Sequence, residues 1–454
     1  MVQIENLIKK TPSFKQITAD LQPKHHQLIT GISGSARTEL LSALSKEGQR
    51  PILVVTDTIS HMQELASDLE NLLPANRVYQ FPVEEVLAAE VATSSPNYRL
   101  QRVLALNALI NNEPAVVVAS AAGLRRNIIS PEYFAQSSLK IKTGGEVDPA
   151  KIRQQLSAMG YQYQKMVLRP GDFAIRGSII DIYALNTDNP VRIDLFDTEV
   201  DSLRYFDAST QRSIDNVEEV QILPATDFII PSPEFSRVAK ALDAEYKKVV
   251  KELSADDADI KQQVANRFEP LLNALKNQHL PNELLEFSNL VYPAKHSLFD
   301  YLPDDGTIYF DDLTRIKQFA KQMTQEDVGW FKDKVAHHQL TDVPDLSNDV
   351  STIIKKDLHP QIYGALFKKG LGNIKLSQIT DLKSRTMQRF FGQMPLLKAE
   401  LQRWIDQGQT VVLMANSPER RKQIAQTLAD FDITATETEL ANIKPNVVQI
   451  VAAN

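Results

Sequence analysis

The residues with the clearest chemical potential are Gly31-Ile-Ser-Gly34-Ser-Ala36-Arg37-Thr38, between a β-type run at 27–30 and a helical run at 39–46. A working phosphate loop reads G-x-x-x-x-G-K-[ST]. Its glycines let backbone amides wrap the phosphates, its lysine neutralises them, and its hydroxyl binds Mg²⁺. Here Ala36 stands where the second glycine is needed and Arg37 where the lysine is needed. A Cβ crowds a backbone that often needs glycine geometry, and a bulky guanidinium does not replace an ammonium in a tight cradle. Three readings follow: a plain strand–turn–helix corner, residual anion or nucleotide binding, and hydrolysis. The residues favour the first. The companion signal is an apolar strand ending in acids that hold Mg²⁺. Thr307-Ile-Tyr-Phe-Asp311-Asp312 has that form, although a strand ending in two solvated aspartates has it too.

Other catalytic signals are poor. There is no cysteine, which excludes thiolate catalysis and Cys-based metal sites. His25–His26 and His337–His338 lack the i, i+4 spacing of helical metal ligands, and neither HExxH nor G-x-S-x-G occurs.

A second stretch interleaves cations with aromatics: Tyr163, Lys165, Arg169, Phe173 and Arg176, running on to Asp181. On a strand, Phe173 and Ile175 would share one face, and Ala174 and Arg176 the other. The Pro170-Gly171 turn would bring Arg169 back towards Arg176. Such residues anchor protein interfaces. They equally suit a solvated face whose arginines pair with Asp172, Asp181 or Asp194, or a surface that touches nucleic-acid phosphates.

The elements that must position these residues alternate between strand and helix over 1–130, with continuous apolar strands at 52–56 and 114–119. That pattern predicts a parallel sheet covered on both faces. Residues 140–225 read as a smaller unit: a helix over 150–159, a strand opening at 167–168, then short strands separated by turns. Residues 231–276 are helical and charged, 288–312 return to strand patterning, and 338–350 resemble a linker. A helix over 390–408, a strand at 409–415, a helix at 418–428 and a final strand at 446–451 follow. Ending on a strand pattern suggests a piece of something longer. With 454 residues, 43% of them hydrophobic, about three compact units are expected. A net charge of −7 argues against a strongly basic nucleic-acid footprint. No signal peptide or membrane span is expected, and the absence of cysteine fits a cytoplasmic setting.

Several segments resemble a known family. They include Phe81-Pro-Val-Glu-Glu-Val-Leu, Arg99-Leu-Gln-Arg102-Val-Leu-Ala-Leu and Val116-Val-Val-Ala-Ser120. Longer ones are Arg169-Pro-Gly-Asp-Phe-Ala-Ile-Arg176-Gly-Ser-Ile-Ile-Asp-Ile-Tyr and Val191-Arg-Ile-Asp-Leu-Phe-Asp197-Thr-Glu-Val-Asp-Ser-Leu-Arg204-Tyr-Phe-Asp207. Leu298-Phe-Asp-Tyr-Leu-Pro303 and Gly408-Gln-Thr-Val-Val-Leu413 add to them. Together they resemble the N-terminal module of the bacterial transcription-repair coupling factor (Mfd) family, and the longer pair is similar to the excision-repair protein UvrB. UvrB itself has an intact phosphate loop and a tyrosine-rich hairpin. Here the loop is altered and the stretch after Phe81 holds only Tyr98.

The resemblance implies an α/β fold, with a helicase-like, P-loop-type parallel-sheet domain split between 1–135 and 226–340. An inserted α+β domain at 136–225 would bind UvrA. A linker or mixed segment would occupy 341–385, and a small, truncated α/β domain 386–454. Arg176 matches the UvrB-like Arg-Gly and is the first interface candidate, followed by Arg169 and Phe173, with Lys165 and Tyr163 included by proximity. The implied role is recruitment of UvrA to stalled RNA polymerase by mimicry of UvrB. RNA polymerase and double-stranded DNA would be met through domains outside this chain. ATP and Mg²⁺ would belong to the family's motor, with no catalytic residue or cofactor in these residues. The alternative is a UvrB-like, ATP-dependent damage-recognition protein.

Overall fold

The computed structural model describes residues 5–452 apart from 94, 255–256, 369–370, 385–389, 391, 440–441 and 445. Its centre is a seven-stranded, wholly parallel sheet. The spatial order is Gln378–Asp381, His26–Thr30, Gln361–Gly364, Thr307–Asp311, Ile52–Thr56, Val116–Ser120 and Val78–Phe81. Alternation along each strand feeds two cores. Leu28, Leu53, Val55, Val117, Ile308 and Phe310 face one side. Ile29, Ile52, Val54, Val118, Tyr309 and Ile362 face the other. Burial on both faces is why Ile52–Thr56 and Val116–Ser120 read as nearly unbroken apolar runs. Helices Ser35–Gly48 and Ile59–Glu70 pack on the second side. Helices Pro96–Ile110, Phe235–Glu252, Ala258–Lys276 and Leu313–Ala336 pack on the first.

Residues 341–385 are more than the expected linker. They supply the strand Gln361–Gly364, inside the main sheet, and its edge strand Gln378–Asp381. Polar, proline-containing sequence around 338–350 hid their role. Residues 288–312 hold one strand, Thr307–Asp311; before it come the short helical turns Ser288–Val291 and Leu298–Tyr301.

The inserted unit has its own core. A six-stranded sheet runs in the order Ser213–Val217, Glu199–Phe206, Val191–Phe196, Ile179–Ile182, Asp172–Arg176, Gln162–Tyr163. It is antiparallel except for its last pair. Helix Pro149–Ala158 contributes Ile152 and Leu156 to the core, which the sheet's inward residues Phe173, Ile180, Ile182, Ile193 and Leu203 complete. The strand expected to open at 167–168 is a loop.

Where this unit rejoins the main domain, a buried quartet ties the chain together. Arg102 pairs with Glu90 at 3.0 Å and Asp227 at 2.9 Å, and Arg126 with Glu90 at 3.1 Å and Asp227 at 3.0 Å. The C-terminal residues form a three-stranded parallel sheet, Val411–Ala415, Val448–Ala452 and Ala435–Glu437, with helices Met394–Asp406 and Pro418–Ala429 around a small separate core. Phe391, near the expected start of the first of these helices, lies outside the described residues.

Candidate functional site

The corner at 31–38 is a strand–turn–helix junction. Gly31 has φ +63° and Gly34 φ +55°, and helix Ser35–Gly48 begins directly after Gly34. Two amides of the turn have protein partners across the corner. Gly31 N donates to Leu366 O at 3.1 Å, and Ser33 N to Ser384 Oγ at 3.2 Å. Ser384 also donates, through Oγ at 2.5 Å and its amide at 2.8 Å, to Gly31 O. The segment 381–384 therefore lies directly over the turn. A Cβ placed on Gly31 would come within 2.6 Å of Asp381 Oδ1 and 2.8 Å of Lys383 N.

Arg37 points across the sheet ends. Its Nη1 donates to Asp311 Oδ2 at 2.5 Å and lies 2.9 Å from His61 Nε2. His61 Nδ1 is 2.9 Å from Asp57 Oδ1, and Arg315 Nη2 is 2.6 Å from Asp57 Oδ2. Two arginines and two carboxylates balance. His61 Nε2 also lies 3.3 Å from Asp311 Oδ2, so the imidazole bridges the two carboxylates. The hydrogen bond from His61 holds the Asp57 carboxyl below its ordinary value against the opposing effect of burial. Burial pushes the Asp311 carboxyl up, and Arg37 and His61 counter this only in part. The acidic pair is thus divided. Asp311 receives Arg37, and Asp312 accepts from Arg315 N to cap helix Leu313–Ala336. Thr38 is buried, and its hydroxyl has no partner among the described residues.

The inserted sheet has one outward face. It carries Arg176, Asp181, Arg192, Asp194, Phe196 and Arg204, in register across neighbouring strands. Asp181 is buried between two guanidiniums. Arg176 pairs with it from one side, and Arg192 donates from the other through Nε at 2.6 Å and Nη2 at 2.9 Å. Arg204 pairs with Asp194. Beside this ladder Phe196 is 78% exposed, just before the turn at Asp197 with φ +60°. Strand spacing and rise put Phe196 and Arg176 about 12 Å apart, at the same end of the sheet.

The expected interface residues do not all gather there. Phe173 is 0% exposed and packs in the inserted core, so it supports the face from behind and is no contact residue. Arg169 precedes the strand that Arg176 ends, which puts the two at opposite ends and corrects the expectation that they meet. Its side chain is 79% exposed and lies 3.9 Å from Asp172. Lys165 is exposed in the loop after the edge strand. Tyr163 lies on that strand, edge-on to Phe173 at 5.6 Å, with the Arg153 guanidinium 4.5 Å over its ring. Sequence reasoning missed Arg192 and Phe196. The signal was present: in Val191–Phe196 the apolar residues 191, 193 and 195 face in, which leaves an aromatic at the outward position 196.

Among the described residues no cluster could hold a metal ion, and no helix is long and apolar enough to cross a membrane.

The family model described as UvrB interaction domain matches residues 139–228. A transcription-repair-coupling factor of Bacillus subtilis is 34% identical over 97% of this chain. Proteins with the same description from Staphylococcus aureus and Staphylococcus haemolyticus are 26% and 27% identical over 95% and 98%. The chain spans 37% or 38% of the length of these relatives.

Proposed function

We propose that this chain, which is related to the N-terminal region of transcription-repair-coupling factors, is a recruitment module whose inserted domain docks the excision-repair protein UvrA. The observation that carries the reading is Phe196, a large aromatic standing in solvent beside a ladder of arginines, inside the segment matched by the UvrB interaction domain. Exposed aromatics and arginines are the residue types that carry binding energy at interfaces. Arg176 is half-exposed, so its pairing with Asp181 orients a guanidinium that still has donors to offer.

The Gly31–Thr38 corner takes no nucleotide in this proposal. The amides of Gly31 and Ser33 are committed to Leu366 and Ser384, and Arg37 turns to Asp311 instead of towards a phosphate. Work on RNA polymerase and DNA, and ATP hydrolysis, would fall to parts of the relatives that this chain does not span.

Affinity for UvrA tests the reading. Phe196→Ala and Arg176→Ala should each weaken binding by roughly 2–4 kcal/mol, the cost of truncating a hot spot, with melting temperature unchanged. An unaltered affinity in the double variant removes the proposal. The rival reading, a UvrB-like ATPase, predicts sub-micromolar ATP binding with Mg²⁺ by calorimetry. The recruitment reading predicts a flat titration.

A further inference from the structure

Away from both sites, the inserted unit and the main domain enclose a cleft of about 420 Å³. Arg99, Arg102, Arg126, Arg169 and His279 line it, with Asp172 as the one carboxylate on its wall. The two arginines at the back are already balanced, since Arg102 and Arg126 face Glu90 and Asp227. Arg99 is different. Its guanidinium makes no hydrogen bond or ion pair among the described residues, and its Nε is buried without a partner. Burial lowers its pKa, which Asp227 and Glu90 oppose only in part and neighbouring Arg102 reinforces. Arg169 reaches into the same cleft from the Pro170-Gly171 turn, held only loosely by Asp172, whose Oδ2 is occupied by the amides of Leu168 and Arg169. Pro96, at the start of the 15-residue helix Pro96–Ile110, also lines the cleft, and Ser95 gives that helix no side-chain cap. The positive end of the helix dipole adds to the attraction for an anion there.

We propose that this cleft binds a phosphate ester, with Arg99 and Arg169 as the two cations that grasp it. A partly buried guanidinium whose Nε has no acceptor is costly until one arrives, and its planar group matches phosphate oxygens two at a time. The space exceeds a single phosphate and suits a ligand of nucleotide size. Two sources share this chemistry: a free phosphate ester or pyrophosphate, and the phosphodiester of a single-stranded nucleic acid.

The whole chain should be titrated with pyrophosphate by calorimetry and with a labelled oligothymidine by anisotropy, at several salt concentrations. Arg99→Ala and Arg169→Ala should each weaken binding about tenfold, because each removes charge-assisted hydrogen bonds. The melting temperature should change little, since Arg99 has no ion-pair partner among the described residues and Arg169 has only Asp172 at 3.9 Å, a contact of a largely exposed side chain. Binding of pyrophosphate alone assigns the site to free phosphate esters. Binding of the oligonucleotide, with the salt slope reduced by about 0.7 for each arginine removed, assigns it to a nucleic-acid strand. Arg176→Ala, at the far end of the inserted sheet, should change neither titration, which separates this site from the UvrA-binding reading. The proposal is overturned if neither probe binds, if the Arg99→Ala/Arg169→Ala variant binds as the parent does, or if Arg176→Ala abolishes binding.

Discussion

At the scale of single residues, Arg37 does the opposite of what its place in the motif suggests. A lysine there would reach for phosphate, whereas this guanidinium is folded onto Asp311 and His61. Arg37→Ala should cost about 2–4 kcal/mol of stability in urea denaturation, since it leaves the largely buried Asp311 carboxylate with His61 alone beside it. Arg37→Lys should still show no ATP binding by calorimetry, because Ser384 and Leu366 hold the amides of Ser33 and Gly31 and Ala36 still stands at the second glycine position. His359 offers a pH test. Burial alone would lower its pKa, but Asp357, 2.9 Å from Nδ1, outweighs that and leaves it raised above 6.5. A raised value means that the folded state holds the proton more tightly. The resulting stability is present below pH 6.5 and is lost as pH rises through the folded value. Denaturation midpoints should fall across that window, and His359→Gln should flatten the fall.

At the scale of elements, the turn at Gly31 and the segment 381–384 form one lock. Gly31→Ala would need both a left-handed alanine and room that Asp381 and Lys383 occupy. A loss of about 1–3 kcal/mol is expected by thermal denaturation. The hairpin that ends in Phe196 is the other decisive element. Strict alternation between the inserted core and solvent fixes which side chains the outward face offers. The strands at 52–56 and 116–120 were legible because double burial makes them almost continuously apolar. The strand Gln361–Gly364 was not, although it lies inside the same sheet. It is four residues long, it holds Gln361 and Gly364, and its burial comes from neighbours hundreds of residues away.

At the scale of the whole molecule, the quartet of Arg102, Arg126, Glu90 and Asp227 binds the inserted unit's exit to the main domain. Arg102→Ala should destabilise the chain by about 3–5 kcal/mol, because two buried carboxylates would lose a shared partner. Calorimetry should show the inserted unit, with its own core, melting separately in that variant. The same junction shapes the cleft that Arg99 and Arg169 share, so one interface both couples the two units and sets two cations side by side.

The sequence alone determined the parallel α/β character, the altered phosphate loop, the inserted unit and Arg176 as an outward cation. Each rests on local pattern: apolar periodicity, the residue types of a short motif, or alternation on a strand. Only the tertiary structure decided the partners. It placed Ser384 over Gly31 and Asp311 against Arg37. It sent Phe173 into the core and Arg169 to the opposite end of the strand from Arg176, and it left Phe196 in solvent. Those outcomes depend on contacts between residues far apart in the chain, and no local pattern encodes which distant group will fill a given space.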